Sequence, residues 1–211
     1  MLLRRKSYLA LFGFAVYVVG SVFMFSSDVE GAITGSAHDF SSQGWSGGEI
    51  CITCHTPHSS QTVANAPLWN HTLTTASFTV YSSTTLNATV GQPSGRSKLC
   101  LSCHDGSVAV DSYGGATGTN FVTGDALVGT NLSNDHPVSF TYDAALATAD
   151  GGLKNPATTN SGLGSTIAAD MLFGGQLECS SCHDVHNGPN INYLLLKSNA
   201  ASALCLTCHS K

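Results

Sequence analysis

The longest apolar run in the chain is Tyr8 to Phe25, broken only by Gly13, Gly20 and Ser21. Arg4, Arg5 and Lys6 precede it, and the small residues Gly31 and Ala32 follow, with Val29 upstream. A basic start, an apolar stretch and a small-residue step mark a secretory signal, so residues 1–31 are expected to be a signal peptide and residues 32–211 one mature domain. Because the run is about as long as a short membrane span, an uncleaved anchor is the alternative. Past residue 31 the periodicity weakens. Arg96 to His104 and Ser198 to His209 read as helices, and Asp143 to Ala149 and Thr166 to Phe173 as weaker ones, both ended by Gly pairs. Phe78 to Ser82 alternates like a short strand. The region from Gly114 to Gly175 is rich in Gly, Thr, Ala, Ser and Asn, a composition that alone suggests linker.

A five-residue motif organises this weakly patterned chain. Cys51-Ile52-Thr53-Cys54-His55 returns as Cys100 to His104, Cys179 to His183 and Cys205 to His209, and these four copies use all eight cysteines. Cys-x-x-Cys-His is the attachment motif of c-type haem. Two thiols at i, i+3 on a helical turn span one porphyrin edge as thioethers, and the following His becomes the proximal iron ligand. A thioredoxin-like pair would need a βαβ setting and no His, and zinc would draw on two pairs per ion. Four c-type haems in roughly 180 residues leave little chain per haem, so the porphyrins themselves are expected to form the core in place of side chains. The expected fold is therefore mostly irregular coil, with short α-helices at the motifs and few short strands. Export fits haem attachment, which in bacteria occurs outside the cytoplasmic membrane.

The remaining histidines bear on the irons. With His55, His104, His183 and His209 as proximal ligands, His38, His58, His71, His136 and His186 are five candidates for four distal places. Methionine is nearly absent, with Met171 alone beyond the leader, so bis-His ligation and low potentials are expected. His58 and His186 each follow a proximal His by three residues, too few to pass the porphyrin rim, so each must reach a different haem. His136 precedes Pro137, which biases it toward extended geometry, and His38 lies on an N-terminal arm. Counting alone does not identify the spare. Trp45, Trp69, Tyr81, Phe140 and Tyr193 are expected to pack on porphyrin faces.

Charge is sparse. Of eight basic and thirteen acidic side chains, residues 1–31 hold three and two, leaving five and eleven. With no basic patch, nucleic acid is not an expected partner, whereas cationic redox proteins or metal ions are.

Several segments together are similar to the doubled-CxxCH multihaem c-type cytochromes. They are Cys51 to His58, Pro67-Leu68-Trp69-Asn70, Cys103-His104-Asp105-Gly106, Asp135 to Phe140, Cys182 to Asn187 and Leu204 to His209. Within that group, four haems and an early Ala37-His38-Asp39-Phe40 resemble the subunits of extracellular cytochrome filaments, or nanowires. The resemblance implies an electron-transfer protein, not an enzyme: a secreted, cell-surface homopolymer with a continuous bis-His haem chain, passing electrons to other redox proteins or extracellular metal oxides. It assigns distal roles to His38, His58, His136 and His186. His38 would be donated to a haem of the adjacent subunit, and His71 would be spare. The alternative is a soluble or anchored periplasmic tetrahaem shuttle. An oxidoreductase would need an open iron, against which the histidine count argues.

Overall fold

A computed structural model of the chain describes residues 33–64 and 66–210. The leader assigned to residues 1–31 lies outside the described residues. Among those that are described, no helix is long and apolar enough to cross a membrane.

The architecture is mostly coil, pinned by short elements. The strands β1 (Gln61–Val63) and β2 (Ala66–Trp69) pair antiparallel, as do β3 (Phe140–Thr141) and β4 (Gln176–Leu177). The helices are α1 (Gly95–His104), α2 (Ala144–Asp150), α3 (Ile167–Asp170) and α4 (Cys205–Cys208). Each Cys-x-x-Cys-His motif makes one helical turn. The His amide bonds back to the first Cys carbonyl at 2.8 Å in His55, 3.1 Å in His183 and 3.0 Å in His209. The second motif forms the end of α1.

Local chemistry sets the limits of these elements. Asp143 caps α2 by accepting from Leu146 N–H at 2.8 Å, and Gly151 ends it in the left-handed conformation. Thr166 caps α3 by accepting from Ala169 N–H. At the start of α1, Gly95 has φ +49°, and a Cβ there would lie 2.6 Å from the Glu178 carboxylate, so only glycine fits.

Two expected elements come out shorter and a third does not form. The Ser198–His209 helix breaks at Ala201 (φ 51°) and Ser202 (φ 62°), leaving a 3₁₀ turn at Ala200–Ser202 and then α4. The Thr166–Phe173 run ends at Asp170, because Phe173 turns back to pair with Gln176. Phe78–Ser82 is no strand: the Gln92 amide bonds both the N–H and the carbonyl of Phe78 at 2.8 Å, and Thr79 makes one isolated bridge to Asn131.

A side-chain core also exists, contrary to the expectation of porphyrin alone. Phe140, Tyr142, Ala147, Ile167, Met171, Leu172, Leu177 and Leu204 pack into one buried cluster, and Phe78, Leu101 and Leu132 into a smaller one. These residues come largely from the Gly- and Thr-rich region, although Phe121, Leu127, Val128 and Leu163 of the same region are exposed. The sheet β3–β4 and helices α2 and α3 assemble the larger cluster beside α4.

Candidate haem sites

The proximal imidazoles are oriented by backbone carbonyls. His55 Nδ1 lies 2.8 Å from Pro67 O, His104 Nδ1 2.7 Å from Ala126 O and His183 Nδ1 2.9 Å from Tyr193 O. A carbonyl can only accept, so each Nδ1 carries the proton and each Nε2 is left with its lone pair for a metal. His136 is held in the same way, its Nδ1 2.9 Å from Pro137 O.

Three pairs of imidazoles face each other. His55 and His186 have ring centres 6.3 Å apart with planes at 15°, His136 and His209 6.3 Å apart at 76°, and His38 and His104 6.0 Å apart at 58°. Two metal–nitrogen bonds of about 2 Å each, plus the distance from ring centre to nitrogen on either side, come to about 6 Å. Each pair is therefore spaced to hold one iron between two imidazoles.

The cleft at the last pair has room for a large flat group. A cavity of about 230 Å³, open to solvent, is lined by His136, His209, Cys205 and Cys208, with Phe140, Tyr142, Leu146, Leu153, Met171, Leu172, Leu177 and Leu204 as walls. The axial ligands face one another, the attachment thiols stand at one edge and the remaining lining is apolar. These residues fit a covalently attached haem, which when bound supplies one-electron transfer. Met171 is only 2 % exposed within that wall.

The four motifs lie close together. The Cys100 and Cys179 thiols touch, with Cys100 raised by its hydrogen bond to Cys179 and by burial, and Cys179 lowered to about 7 chiefly by that contact. Burial and then the nearby Cys54 thiol push Cys103 up to about 12, and burial and then Cys208 push Cys182 up to about 11. The attachment edges thus follow one another in the order 51–54, 100–103, 179–182, 205–208.

The first and third motifs share a frame. In the first, Thr56 N–H bonds Leu68 O, Asn70 N–H bonds Cys54 O, and His55 bridges Trp69. In the third, Asp184 N–H bonds Leu194 O, Leu196 N–H bonds Cys182 O, and His183 bridges Leu195. Leu68 and Leu194 share the same left-handed conformation, with φ of 55° and 54°.

Two sequence assignments change place here. His38, expected on a donated arm, lies against His104 of its own chain. The rings of Phe40, Trp45 and Tyr113 continue the contact, and Tyr113 Oη–H bonds Trp45 O at 2.7 Å, which ties residues 33–50 down. Burial, followed by the charges of neighbouring histidines, lowers His38 to about 4, so the ring is neutral, as a metal ligand must be. His58, expected to ligate a haem of this chain, is exposed and has no ring partner among the described residues. His183 likewise faces no second imidazole among them. His71 is 1 % exposed, with Nδ1 2.8 Å from Thr72 O and Nε2 2.9 Å from Ala109 O, so both ring nitrogens face backbone. The orienting carbonyls of Pro67, Ala126, Tyr193 and Pro137 were not legible in the sequence, because a backbone acceptor carries no residue signature.

Residues 172–211 match the family model of the doubled CXXCH motif. Among curated proteins no match is found. That match spans the last two Cys-x-x-Cys-His turns, and two further Cys-x-x-Cys-His turns precede it at Cys51 and Cys100.

Proposed function

We propose that the chain is a secreted tetrahaem subunit that polymerises head to tail into an electron-conducting filament at the cell surface. The observation that carries this reading is the unequal use of histidine. Three imidazole pairs close within the chain, while His183 and the exposed His58 each remain without a ring partner among the described residues. His58 of one subunit ligates the haem at Cys179–Cys182 of the next, so the donated side chain is His58 and not His38. Every haem is then bis-His and the haem chain crosses each subunit boundary. With both axial positions closed, the subunit carries electrons and offers no iron to a substrate. Other redox proteins or extracellular metal oxides receive the electrons by contact with haem edges.

The test is electron microscopy and spectroscopy of the secreted protein. Filaments with entirely low-spin, six-coordinate haem are expected. Stable monomers in which all four haems are low-spin would defeat the polymer. Monomers with one high-spin haem that binds carbon monoxide would indicate a shuttle or an enzyme with its open iron at His183.

A further inference from the structure

The few charges near the motifs are unevenly placed. Only four basic side chains fall among residues 33–210: Arg96, Lys98, Lys154 and Lys197. Two of them converge on the last motif. Lys154 Nζ donates to Leu206 O at 2.5 Å, and Lys197 Nζ donates to Thr207 Oγ1 at 3.0 Å and to Ser161 O at 2.6 Å. Leu206 and Thr207 are the residues between the two attachment cysteines, so both ammoniums sit against the Cys205–Cys208 turn. Neither is in an ion pair among the described residues. One carboxylate, Asp150, lines the same cleft, where Asn87 Nδ2 donates to it at 3.3 Å.

The middle of the molecule has the opposite sign. Glu178, 3 % exposed, accepts from Ser97 N–H at 3.1 Å, from the Ser97 hydroxyl and from the Ser139 hydroxyl at 3.0 Å. Ser97 Oγ in turn accepts from Cys179 N–H at 3.0 Å, which places the carboxylate beside the touching Cys100 and Cys179 edges. Asp105, also buried, accepts from Thr74 Oγ1 just after the second motif. Arg96 forms no ion pair with Glu178, and its guanidinium lies 3.7 Å over the Phe173 ring. Lys98 is on the same helix and has no ion-pair partner among the described residues.

Reduction adds one electron to a site, so a nearby cation favours it and a nearby anion opposes it, more strongly where water is excluded. We infer that Lys154 and Lys197 make the haem at Cys205–Cys208 the first of the set to be reduced, and that Glu178 makes the haems sharing the Cys100–Cys179 edge the last. This rests on the reading of the four motifs as haem sites but not on polymerisation. Each subunit then contains a downhill step toward its C-terminal haem, where electrons reside longest.

The test is a spectroelectrochemical titration of the intact haem-loaded protein, with haem content checked by mass and by pyridine haemochrome. In Lys154→Gln/Lys197→Gln the highest-potential step is expected to fall, its reduced-to-oxidised ratio dropping at least about ten-fold at fixed potential, with the lower steps unmoved. The paired arginine variant should keep the wild-type curve. Glu178→Gln should raise only the lowest steps. Four loaded haems with an unmoved top step in the glutamine variant would overturn the inference and leave the haem reading intact. A wild-type chain without haem at Cys205–Cys208 would overturn both. If the double variant does not mature, Lys154→Gln alone reads the same step with a smaller shift.

Discussion

Residues 51–70 and 179–196 fold around their motifs in the same way and then diverge at one side chain. Both make a helical turn, both bond the residue after the proximal His to a leucine carbonyl, and both set that leucine near φ 55°. Both carry a second His three residues after the first. His186 reaches across to His55, whereas His58 points to solvent. The frame is local and follows from the motif and its returning strand. The target of the second His is not local, since it depends on what the rest of the chain brings within about 6 Å. Two segments with the same Cys-x-x-Cys-His-x-x-His pattern therefore acquire different partners.

Exchanging the roles of these two histidines gives the largest expected effect. His58→Ala should abolish filaments in electron micrographs and leave monomers in which one haem in four is high-spin and binds carbon monoxide. His186→Ala should also produce one high-spin haem in four, at Cys51–Cys54, with filaments retained. Filaments that survive His58→Ala would break the comparison, because His58 and His186 would then differ in exposure but not in role.

His38 is the next lever. His38→Ala should open the iron at Cys100–Cys103 inside each chain without dissolving the filament. If filaments vanished and each isolated subunit carried one high-spin haem, the arm would be the donated element after all. Acid tests the same contact without a mutation. Burial and then the nearby histidines lower His38 from 6.5 to about 4, so the folded chain prefers the neutral ring and the unfolded chain binds the proton first. The stabilisation is intact above pH 6.5 and is lost as the pH falls from 6.5 through about 4. Limited proteolysis of residues 33–50 should therefore rise across that window, ahead of cleavage in 179–196.

Much of this was legible in the sequence, and the limits are physical. Spacing alone yields the attachment turns, because i, i+3 thiols on a helix need no tertiary information. The shortage of methionine likewise points to paired imidazoles. The choice of pairs was hidden, since the local rings Phe40 and Trp45 place His38 only by meeting Tyr113, which is distant in sequence and joins them in the fold. His71 looked like any other candidate until both its nitrogens were seen to face carbonyls. The Phe78 strand failed because Gln92, fourteen residues away, supplies the hydrogen bonds that a neighbouring strand would have made.

The two frames are also locked differently, which gives a smaller effect. Asn70 Nδ2 donates to Ile52 O at 2.6 Å and Asn70 Oδ1 accepts from Gly114 N–H at 3.0 Å, while the corresponding residue in the third motif is Leu196. Asn70→Ala strands the Ile52 carbonyl and leaves Gly114 N–H only its longer 3.3 Å bond to the Asn70 carbonyl, and should cost about 1–3 kcal/mol in denaturant unfolding of the loaded protein. Leu196→Ala loses apolar contact with the main core instead, and should cost about 2 kcal/mol, less if the site relaxes. Asn70→Asp, whose carboxylate cannot donate to Ile52 O, should cost at least as much, and a loss below about 0.5 kcal/mol in both variants would show that the amide bonds are not what holds the first frame.

The smallest change expected is at the shared backbone strain. Leu68 and Leu194 both hold a conformation that costs a side chain with a Cβ roughly 1–2 kcal/mol. Glycine removes that cost but gains freedom in the unfolded chain worth up to about 1 kcal/mol, so the two effects nearly cancel. Leu68 is 51 % exposed, so little packing is lost with its side chain. Leu68→Gly should therefore change unfolding by less than about 1 kcal/mol, and Leu194→Gly, which is partly buried, should be destabilised slightly more. A loss above about 3 kcal/mol at Leu68 would mean that its side chain is covered in the assembled protein, which would place the first frame at a subunit contact beside His58.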